Sequence, residues 1–427
     1  MILAYLDPGS GSALVGTLIA VAGAALYSLK SLFYRLISKK SDLHSPPPPL
    51  ISASIAIFSE GKNYWNTWRL IVEELLARKV HFAYYTMDLH DPALLIDDEH
   101  MHARLYDKNK AASYQKLSRI KAKVLLATTP NIGTPGFPIR RSKDVSRMLH
   151  VFHAFADISA YHLGSLDHYD VVLTVGPHQE KYIREVEQAR GLKAKEILPV
   201  GLPYFDAQYL AAHGARSVTS GEDTASPLRT AGQATILVAP SWGAKGCLTE
   251  YGIGFVKELA EAGYDVIVRP HPQSFIAEAE FMAKCQAETA SYTNIIWDKE
   301  PVGSVSMEKS DLLISDTSSI RFDYAFLYGK PVITLDIPKT SQQEYDGVYQ
   351  KTQWVDDAAP KLGCVLNHDS IRSILAEVKR LTSAVRLSPS PSPQTTPLHA
   401  FRAETIANLG TSAKAIADVL VKEVENV

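Results

Sequence analysis

Strand-like apolar runs alternate with helix-like segments along most of this chain, and they do so in two successive series. The first series predicts strands at 51–58, 80–85, 124–128 and 171–175, with a helix at 66–79. The second predicts strands at 235–239, 265–269, 295–297, 311–315 and 331–335, with helices at 249–262 and 318–328. Such alternation is typical of parallel sheets covered by crossover helices. Because 427 residues are too many for one compact core, we expect two α/β lobes that face each other across a cleft.

The composition indicates which classes of binding partner to expect and in which cellular compartment the protein lies. The formal net charge of -2 lacks the basic excess that nucleic-acid-binding domains carry, so we expect no nucleic-acid partner. The three cysteines, Cys247, Cys285 and Cys364, lie far apart and form no Cys-x-x-Cys pair. This sparse set indicates a reducing compartment rather than a disulfide framework.

One segment near the N-terminus is far more apolar than the rest of the chain. No charged residue lies in 13–29, and an extension through 32–34 gives the roughly 20 residues that a membrane-spanning helix needs. Asp7 precedes the segment and basic residues follow it, so the positive-inside rule predicts lobes in the cytoplasm. No Lys or Arg precedes the apolar run, which disfavours a cleaved signal peptide. A buried core helix is the other alternative. We expect a single-pass protein of the cell inner membrane.

These patterns divide the chain into six segments. We expect a membrane anchor at 1–40, a proline-rich spacer at 41–50, an N-terminal Rossmann-like lobe at 51–205, a linker loop at 206–234, a C-terminal Rossmann-like lobe at 235–380, and a low-complexity loop with a C-terminal helix at 381–427.

The strand ends of the second series carry polar residues, and ligands in open α/β sheets bind at the carboxyl ends of strands. The run 239–246 combines small residues, which allow close backbone approach, with Ser241 and with Lys245, a side chain suited to a phosphate. A plain strand-to-helix turn is the alternative explanation of this run.

The next strand end reads Arg269-Pro270-His271-Pro272. A histidine between two prolines is excluded from a helix interior, so we expect a rigidly held imidazole beside a guanidinium. His271 can then donate to a phosphoryl oxygen or, as a cation, stabilise its charge. A capped core histidine is the alternative explanation.

A third strand end, Ser315-Asp316-Thr317-Ser318-Ser319, opens a predicted helix. Hydroxyl groups and backbone N–H groups at a helix N-terminus bind anions readily. An ordinary N-cap explains one or two of these residues but not three consecutive hydroxyls. The second and third strand ends together predict a site for the pyrophosphate of a nucleotide donor.

The first series contains four histidines in a short stretch: His150, His153, His162 and His168. Metal sites of this kind carry recognisable spacings, but no His-Glu-x-x-His, Asp-x-Asp or nearby cysteine is present. We therefore expect no bound metal, and we expect one of these histidines to act as a general base near neutral pH.

The Ala-Pro-x-Trp strand end at 239–242, the Arg-Pro-His-Pro turn and the Ser-Asp-x-Ser-Ser helix start resemble those of the CDP-glycerol glycerophosphotransferase family in order and spacing. This family contains the primases and polymerases of wall teichoic acid. The resemblance covers about 51–338 and includes the strand end at 59–61 and the segment 201–206. It implies a GT-B fold of two facing Rossmann-like lobes, with the acceptor on the N-terminal lobe and the nucleotide donor on the C-terminal lobe.

Family members transfer glycerol phosphate from CDP-glycerol to a hydroxyl of a lipid-linked acceptor and release CMP. The resemblance implies that His271, Ser318 and Ser319 contact the donor pyrophosphate. The remaining residues expected on the donor side are Arg269, Ser241, Lys245, Asp316 and Thr317. The resemblance implies no cofactor, since CDP-glycerol is itself the donor substrate.

The resemblance places His153 where the family's Trp-His-Gly-Thr-Pro segment carries its proposed base. In this chain 152–156 reads Phe-His-Ala-Phe-Ala, so the Gly, Thr and Pro are absent, and Thr317 replaces the family's usual Tyr. These departures leave the acceptor, and the alcohol that the donor carries, undetermined by sequence.

Two other functions also fit the motifs. A glycosyltransferase or epimerase that uses a UDP-sugar would place a histidine and a hydroxyl-rich helix start around a pyrophosphate as well. A membrane-bound nucleotide-binding protein without catalytic activity would account for the altered segment after His153.

Overall fold

The computed structural model describes residues 49–158, 161–214, 233–243, 246–300, 303–337, 353–387 and 397–427. The predicted anchor at 1–40 and most of the predicted spacer at 41–50 lie outside these ranges. Within the part of the chain that is described, no helix has both the length and the apolar character needed to cross a bilayer.

The N-terminal lobe is built on a seven-stranded sheet in which every neighbouring pair of strands is parallel. Its strand order is β3-β2-β1-β4-β5-β6-β7. The strands are β1 (Ala53–Ser59), β2 (Phe82–Thr86), β3 (Met101–Leu105), β4 (Ala122–Ala127), β5 (Val145–Val151), β6 (Val171–Thr174) and β7 (Glu196–Pro199). The helices of this segment are α1 (Trp65–Ala77), α2 (Ala111–Leu117), α3 (Pro177–Arg190) and α4 (Pro203–Gly214). Both faces of the central strands are buried, which explains their nearly continuous apolar runs.

The C-terminal lobe repeats this architecture with a six-stranded parallel sheet in the order β10-β9-β8-β11-β12-β13. Its strands are β8 (Thr235–Ala239), β9 (Asp265–Val268), β10 (Ile295–Trp297), β11 (Leu312–Ser315), β12 (Val332–Leu335) and β13 (Gly363–Leu366). Its helices are α5 (Cys247–Tyr251), α6 (Gly254–Glu261), α7 (Ser274–Ala277), α8 (Ala279–Thr289), α9 (Ser304–Lys309), α10 (Ile320–Tyr328), α11 (Trp354–Leu362) and α12 (Ile374–Leu387). The strands predicted in both series are therefore confirmed, and so is the parallel α/β class.

Three details differ from the sequence predictions. The helix predicted at 249–262 is two helices, α5 and α6, because Gly252 leaves the helical region with φ 70° between them. The predicted linker loop at 206–234 begins inside α4, whose Ala- and Leu-containing sequence favours a helix. The edge strands β3, β7 and β13 and the inner strand β5 were not predicted. The three edge strands are short and only partly buried, and the apolar run of β5 is interrupted by the exposed Ser146 and the half-buried Arg147.

The chain returns to the N-terminal lobe at its end. Helices α13 (Pro397–Thr405) and α14 (Ser412–Glu425) follow the C-terminal sheet. Ile416 and Leu420 of α14 are fully buried in the same apolar cluster as Trp68 of α1. Arg147 of β5 adds a 2.6 Å ion pair to the buried Glu423. The last helix therefore belongs to the N-terminal lobe, although it follows the C-terminal lobe in sequence.

The two lobes meet through a buried aromatic cluster centred on Phe155, just after β5. Its ring lies 5.3 Å from that of Phe205, 5.6 Å from that of Phe322 and 5.5 Å from that of Phe326, between ring centroids. Phe205 lies in α4, and the other two lie in α10 of the C-terminal lobe. All four side chains are almost fully buried. One hydrophobic core thus extends across both lobes and fixes the loop after β5 against α10.

Two carboxylates, the buried Asp157 and the partly exposed Asp323, add polar contacts to this meeting of the lobes, which is called the aromatic joint below. Asp157 accepts a 2.9 Å hydrogen bond from the backbone N–H of Trp354, at the start of α11. The Tyr204 hydroxyl donates to Asp323 of α10. Burial raises the pKa of the Asp323 carboxyl to about 7, from an ordinary value of 3.8, and the hydrogen bond from Tyr204 opposes this rise. The Asp323 carboxyl therefore keeps its proton to a higher pH than an aspartate with an ordinary pKa does.

Asp323 predicts a pH dependence of stability. Between about pH 4 and 7 the folded protein keeps a proton on this carboxyl that the unfolded chain has released. The free energy of unfolding contributed by this group therefore falls as the pH rises through that window, by up to about 4 kcal/mol. Urea unfolding at pH 4.5 and 7.5 should show a smaller pH dependence for Asp323→Asn than for the wild type. Asp369→Asn, an exposed carboxyl in the same lobe, is the control and should keep the wild-type dependence. Equal pH dependence of Asp323→Asn and wild type would contradict this account.

Candidate functional site

The Asp316 carboxylate ties together the loops that follow β8 and β11. It is fully buried and accepts hydrogen bonds from the backbone N–H groups of Ser241 (3.0 Å), Cys247 (2.8 Å) and Ser318 (3.2 Å). Beside it, the Ser315 hydroxyl donates to the Ala239 carbonyl at 2.6 Å. The Asp316 carboxylate is negatively charged and would repel an anionic ligand. It is also fully buried and bonded to three backbone N–H groups, so a ligand cannot reach it. Asp316 is thus a positioning residue in this structure, whereas the sequence suggested direct contact with the donor.

The loop after β8 approaches its own backbone closely at Gly246. A Cβ added at Gly246 would lie 2.3 Å from the Ser241 carbonyl oxygen, so this position requires glycine. Trp242 stands at the outer side of the loop with 53% of its surface exposed. Lys245, predicted to meet a phosphate, lies outside the described residues.

His271, at the end of β9, presents one ring nitrogen to solvent. Its Nδ1 accepts a 3.1 Å hydrogen bond from the backbone N–H of Gln273, so Nδ1 carries no proton. In the neutral ring the proton is then on Nε2, which is the donor that a phosphoryl oxygen needs. The side chain is exposed, and its ring centroid lies 6.4 Å from that of Trp242. The local structure therefore orients His271 as the sequence predicts for a ligand-binding histidine.

Arg269, two residues earlier, is held by the protein itself. Its Nη1 donates to Asp298 at 2.7 Å, and its Nη2 donates to the Glu300 carbonyl at 2.8 Å. The Asp298 carboxylate is only 9% exposed and also accepts a hydrogen bond from Ser306. These contacts fix the loop after β10 beside the loop after β9. Arg269 therefore holds these two loops in position. Direct contact between Arg269 and a donor stays a prediction.

Hydroxyl groups line the N-terminus of α10. Thr317 and Ser319 are exposed and Ser318 is partly exposed, directly before the first helical residue, Ile320. The helix dipole is positive at this end, while the backbone N–H groups of Ser318, Arg321 and Phe322 are already bonded within the protein. The donors that this end of α10 offers to an anion are therefore the three side-chain hydroxyls, which lie in the positive field of the helix dipole.

Arg321, which was not predicted, supports this helix start from beneath. It is 2% exposed, its Nε donates to the Ser318 carbonyl at 3.1 Å, and its Nη1 donates to Thr334 at 3.2 Å. Burial lowers the pKa of the guanidinium to about 10, and the charge of Asp316 opposes this shift, so the group stays cationic at neutral pH. The signal available in the sequence was an arginine in a mainly apolar helix, because arginine is almost never fully buried unless it is paired.

His153 lies on the N-terminal lobe, two residues after the end of β5. Burial lowers its pKa below the ordinary 6.5, and its Nδ1 has no hydrogen-bond partner. Its ring meets the Tyr64 ring edge-on, with centroids 5.2 Å apart. Nearby His150 is fully buried, and burial lowers its pKa to about 3. Both imidazoles are therefore neutral near pH 7, and His153 is the more exposed of the two and can accept a proton from a ligand.

The aromatic joint brings His153 and the start of α10 into the same region. His153 is two residues from Phe155, and a two-residue extended segment spans at most about 7 Å. Phe155 packs on Phe322, which lies only three residues after Ser319, a rise of about 4.5 Å in a helix. The loop that carries the predicted base and the helix that begins at the predicted anion site are thus joined by one contact between the lobes.

The four histidines between 150 and 168 are not arranged as a metal site. His150 contacts Tyr161, His153 contacts Tyr64, His162 is exposed and His168 lies against Gly133. Among the described residues, no group of three or more His, Cys, Asp or Glu side chains is placed to hold a metal ion.

The sequence was compared with protein-family models and with known proteins. Residues 147–354 match the family described as CDP-Glycerol:Poly(glycerophosphate) glycerophosphotransferase. This segment contains His153 and every donor-side motif, so the resemblance identified from those motifs is confirmed. No curated protein sequence matches the chain significantly.

Solved structures with the same fold include transferases and epimerases. A structure of the wall teichoic acid polymerase TagF with CDPG matches with a TM-score of 0.51 and 16% identity, over 96% of this chain and 97% of that chain. A UDP-GlcNAc 2-epimerase from Neisseria meningitidis bound to UDP-GlcNAc matches with a TM-score of 0.55 and 13% identity, over 86% of this chain and 99% of that chain. A putative UDP-N-acetylglucosamine 2-epimerase from Listeria monocytogenes gives 0.54 and 13%, over 88% and 98%. At such identities these matches show the fold, which is GT-B-like as predicted.

Removal of the Asp316 carboxylate should loosen the donor-side loops. Asp316→Ala leaves three backbone N–H groups without their acceptor, and we expect it to lower the free energy of unfolding by about 3 kcal/mol. Thr317→Ala, at the exposed neighbouring position, should change it by less than about 0.5 kcal/mol. Urea denaturation of both variants measures the difference, and equal stabilities would argue against the positioning role of Asp316.

Proposed function

We propose that this chain, a transferase of the CDP-glycerol glycerophosphotransferase type, moves glycerol phosphate or a related alcohol phosphate from a CDP-activated donor to a hydroxyl of a lipid-linked cell-envelope polymer and releases CMP. The family match over 147–354 supports the reaction class. The observation that carries the proposal is structural: a neutral, partly buried histidine and an anion-binding helix start are set from two lobes around the contact between Phe155 and Phe322.

The donor is assigned to the carboxyl edge of the C-terminal sheet. There the Nε2–H of His271 and the hydroxyls of Ser318 and Ser319 are available to pyrophosphate oxygens. The structure of TagF with CDPG, which shares this fold, makes a CDP-alcohol the donor of first choice. Arg269 and Asp316 hold the loops that carry these groups.

The reaction is a displacement at phosphorus. The acceptor hydroxyl oxygen attacks the β-phosphorus, and its proton passes to His153. The bond between the β-phosphorus and the oxygen that bridges to the α-phosphorus breaks, and CMP leaves with that oxygen. Phosphoryl transfer depends chiefly on positioning and on stabilisation of the developing charge, which His271 and the start of α10 are placed to provide. No cofactor is included in this proposal.

The acceptor side of the proposal rests on the sequence as well as on the structure. A lipid-linked acceptor lies at a membrane, and the apolar N-terminal segment predicts an inner-membrane anchor with the lobes on the cytoplasmic side. We propose that the anchor keeps the N-terminal lobe close to such an acceptor.

A UDP-sugar enzyme is the second candidate. The two epimerase structures support it through the shared fold, and one of them is bound to UDP-GlcNAc. The same His271 and helix start would then hold the pyrophosphate of a uridine donor. The family match favours the CDP-alcohol, because it covers all of the donor-side motifs.

Loss of the His271 imidazole should abolish most of the transfer. With CDP-glycerol and a membrane-lipid acceptor fraction, His271→Ala should release CMP at least about 100-fold more slowly than the wild type, because a donor to the developing charge is gone. His90→Ala, an exposed histidine of the other lobe, should leave the rate unchanged. Undiminished CMP release by His271→Ala would refute the assignment of this site.

A further inference from the structure

The loop that follows β5 is held by the first turn of α3. Gln179 lies in this turn, and its side chain is fully buried. Its amide nitrogen Nε2 donates hydrogen bonds to the backbone carbonyls of Ala154 at 3.2 Å and of Ala156 at 2.7 Å. Its amide oxygen Oε1 accepts a 2.8 Å hydrogen bond from the backbone N–H of Val175. One buried amide therefore joins the loop after β5 to the residue that follows β6.

His178, the neighbour of Gln179, binds the carbonyl that lies between those two. Its Nε2 lies 3.0 Å from the Phe155 carbonyl oxygen, which can only accept, so Nε2 carries the proton. Burial lowers the pKa of this imidazole to about 4, and the ring is neutral near pH 7. The Trp354 ring of α11 stacks on it, with centroids 4.0 Å apart. The three successive carbonyls of 154–156 thus each have a side-chain donor from α3.

The start of α3 is itself held in place. Only Val175 and Gly176 connect β6 to α3. The Val175 carbonyl accepts a 2.9 Å hydrogen bond from the N–H of Ala407, in the segment that returns to the N-terminal lobe. A Cβ added at Gly176 would lie 2.0 Å from the Thr405 carbonyl oxygen, so the close passage of that segment requires glycine. The first turn of α3 is therefore fixed both to the end of β6 and to the returning chain.

These contacts fix the backbone on both sides of His153. On one side, the N–H of Phe152 donates to the Leu173 carbonyl of β6 at 3.2 Å. On the other side, the Ala154 carbonyl is bound by Gln179. The three residues after His153 are Ala, Phe and Ala, whose side chains have no group that can form a hydrogen bond. The position of His153 therefore depends on the donors that α3 supplies.

A general base is effective only within hydrogen-bond reach of the proton that it accepts. A misplacement of about 1 Å can lower a rate by about 100-fold. We propose that Gln179 and His178 are positioning residues for His153, which they hold through the carbonyls of 154–156 without touching a substrate. The inference rests on the proposed function for the role of His153 as the base.

Titration of the histidines by NMR tests this positioning without turnover. Burial lowers the pKa of His153. Two titratable groups interact with His153: Tyr64, whose ring it meets edge-on, and the buried His150, whose pKa the charge of His153 lowers further. Both are uncharged near pH 7. Gln179→Met removes three hydrogen bonds at similar volume, so it should admit water to His153 and raise its pKa towards the ordinary 6.5. Gln188→Met, the same change at an exposed position of α3, is the control and should leave the pKa of His153 unchanged.

A second variant decides the matter if Gln179→Met does not fold. His178→Phe keeps a ring against Trp354 and removes the hydrogen bond to the Phe155 carbonyl. It should raise the pKa of His153 less than Gln179→Met does, since one carbonyl rather than two loses its donor. Thermal melting confirms that each titrated variant is folded. A folded variant of either kind in which His153 titrates as in the wild type would overturn the role of the residue that it replaces.

CMP release from CDP-glycerol then separates positioning from a general structural role. Gln179→Met should lower kcat at least about tenfold. The KM for CDP-glycerol should change by less than about twofold, because the donor-side groups lie on the other lobe. In the His153→Ala background the same substitution should change the rate by less than about twofold, because no base is left to position. An equal loss of rate in both backgrounds would contradict the inference. A wild type that releases no CMP, with the Gln179 dependence of the His153 pKa retained, would remove the proposed reaction and leave the positioning.

Discussion

The packing of Phe155 on Phe322 is the contact on which the site depends. It lies in a core that is continuous between the lobes, so the loop after β5 and the first turn of α10 are held at one distance. His153 precedes one ring by two residues, and Ser319 precedes the other by three. Asp157, Tyr204 and Asp323 add partly buried hydrogen bonds to the same joint. A change in this packing would alter the separation of base and anion site without touching either.

Different kinds of interaction hold the candidate site on the two lobes. On the donor side, buried charged groups hold loops in place: Asp316 binds three backbone N–H groups and Arg269 binds Asp298. The groups left for a ligand there are hydrogen-bond donors, as an anionic pyrophosphate requires. On the N-terminal lobe, the Tyr64 ring packs edge-on against a neutral, partly buried His153.

Much of this fold follows from local sequence, whereas side-chain roles do not. The strand 235–239 was predicted to the residue because it is fully buried and forms an uninterrupted apolar run, and the edge strand 295–297 was also predicted to the residue. Asp316 and Arg269 were predicted as ligand contacts because charge at a strand end suggests a ligand. Their partners, Cys247 and Asp298, are distant in sequence, so no spacing could show that the charges are used internally. Arg321 was missed because its burial and its contact with Thr334 arise only in the folded chain.

The most direct test of the central claim is a crystal structure of the protein with CDP-glycerol bound. The account predicts the β-phosphate within hydrogen-bond distance of His271 Nε2 and of the hydroxyls at the start of α10, with the glycerol end directed towards His153. A donor bound with its pyrophosphate out of reach of both His271 and Ser319 would contradict it.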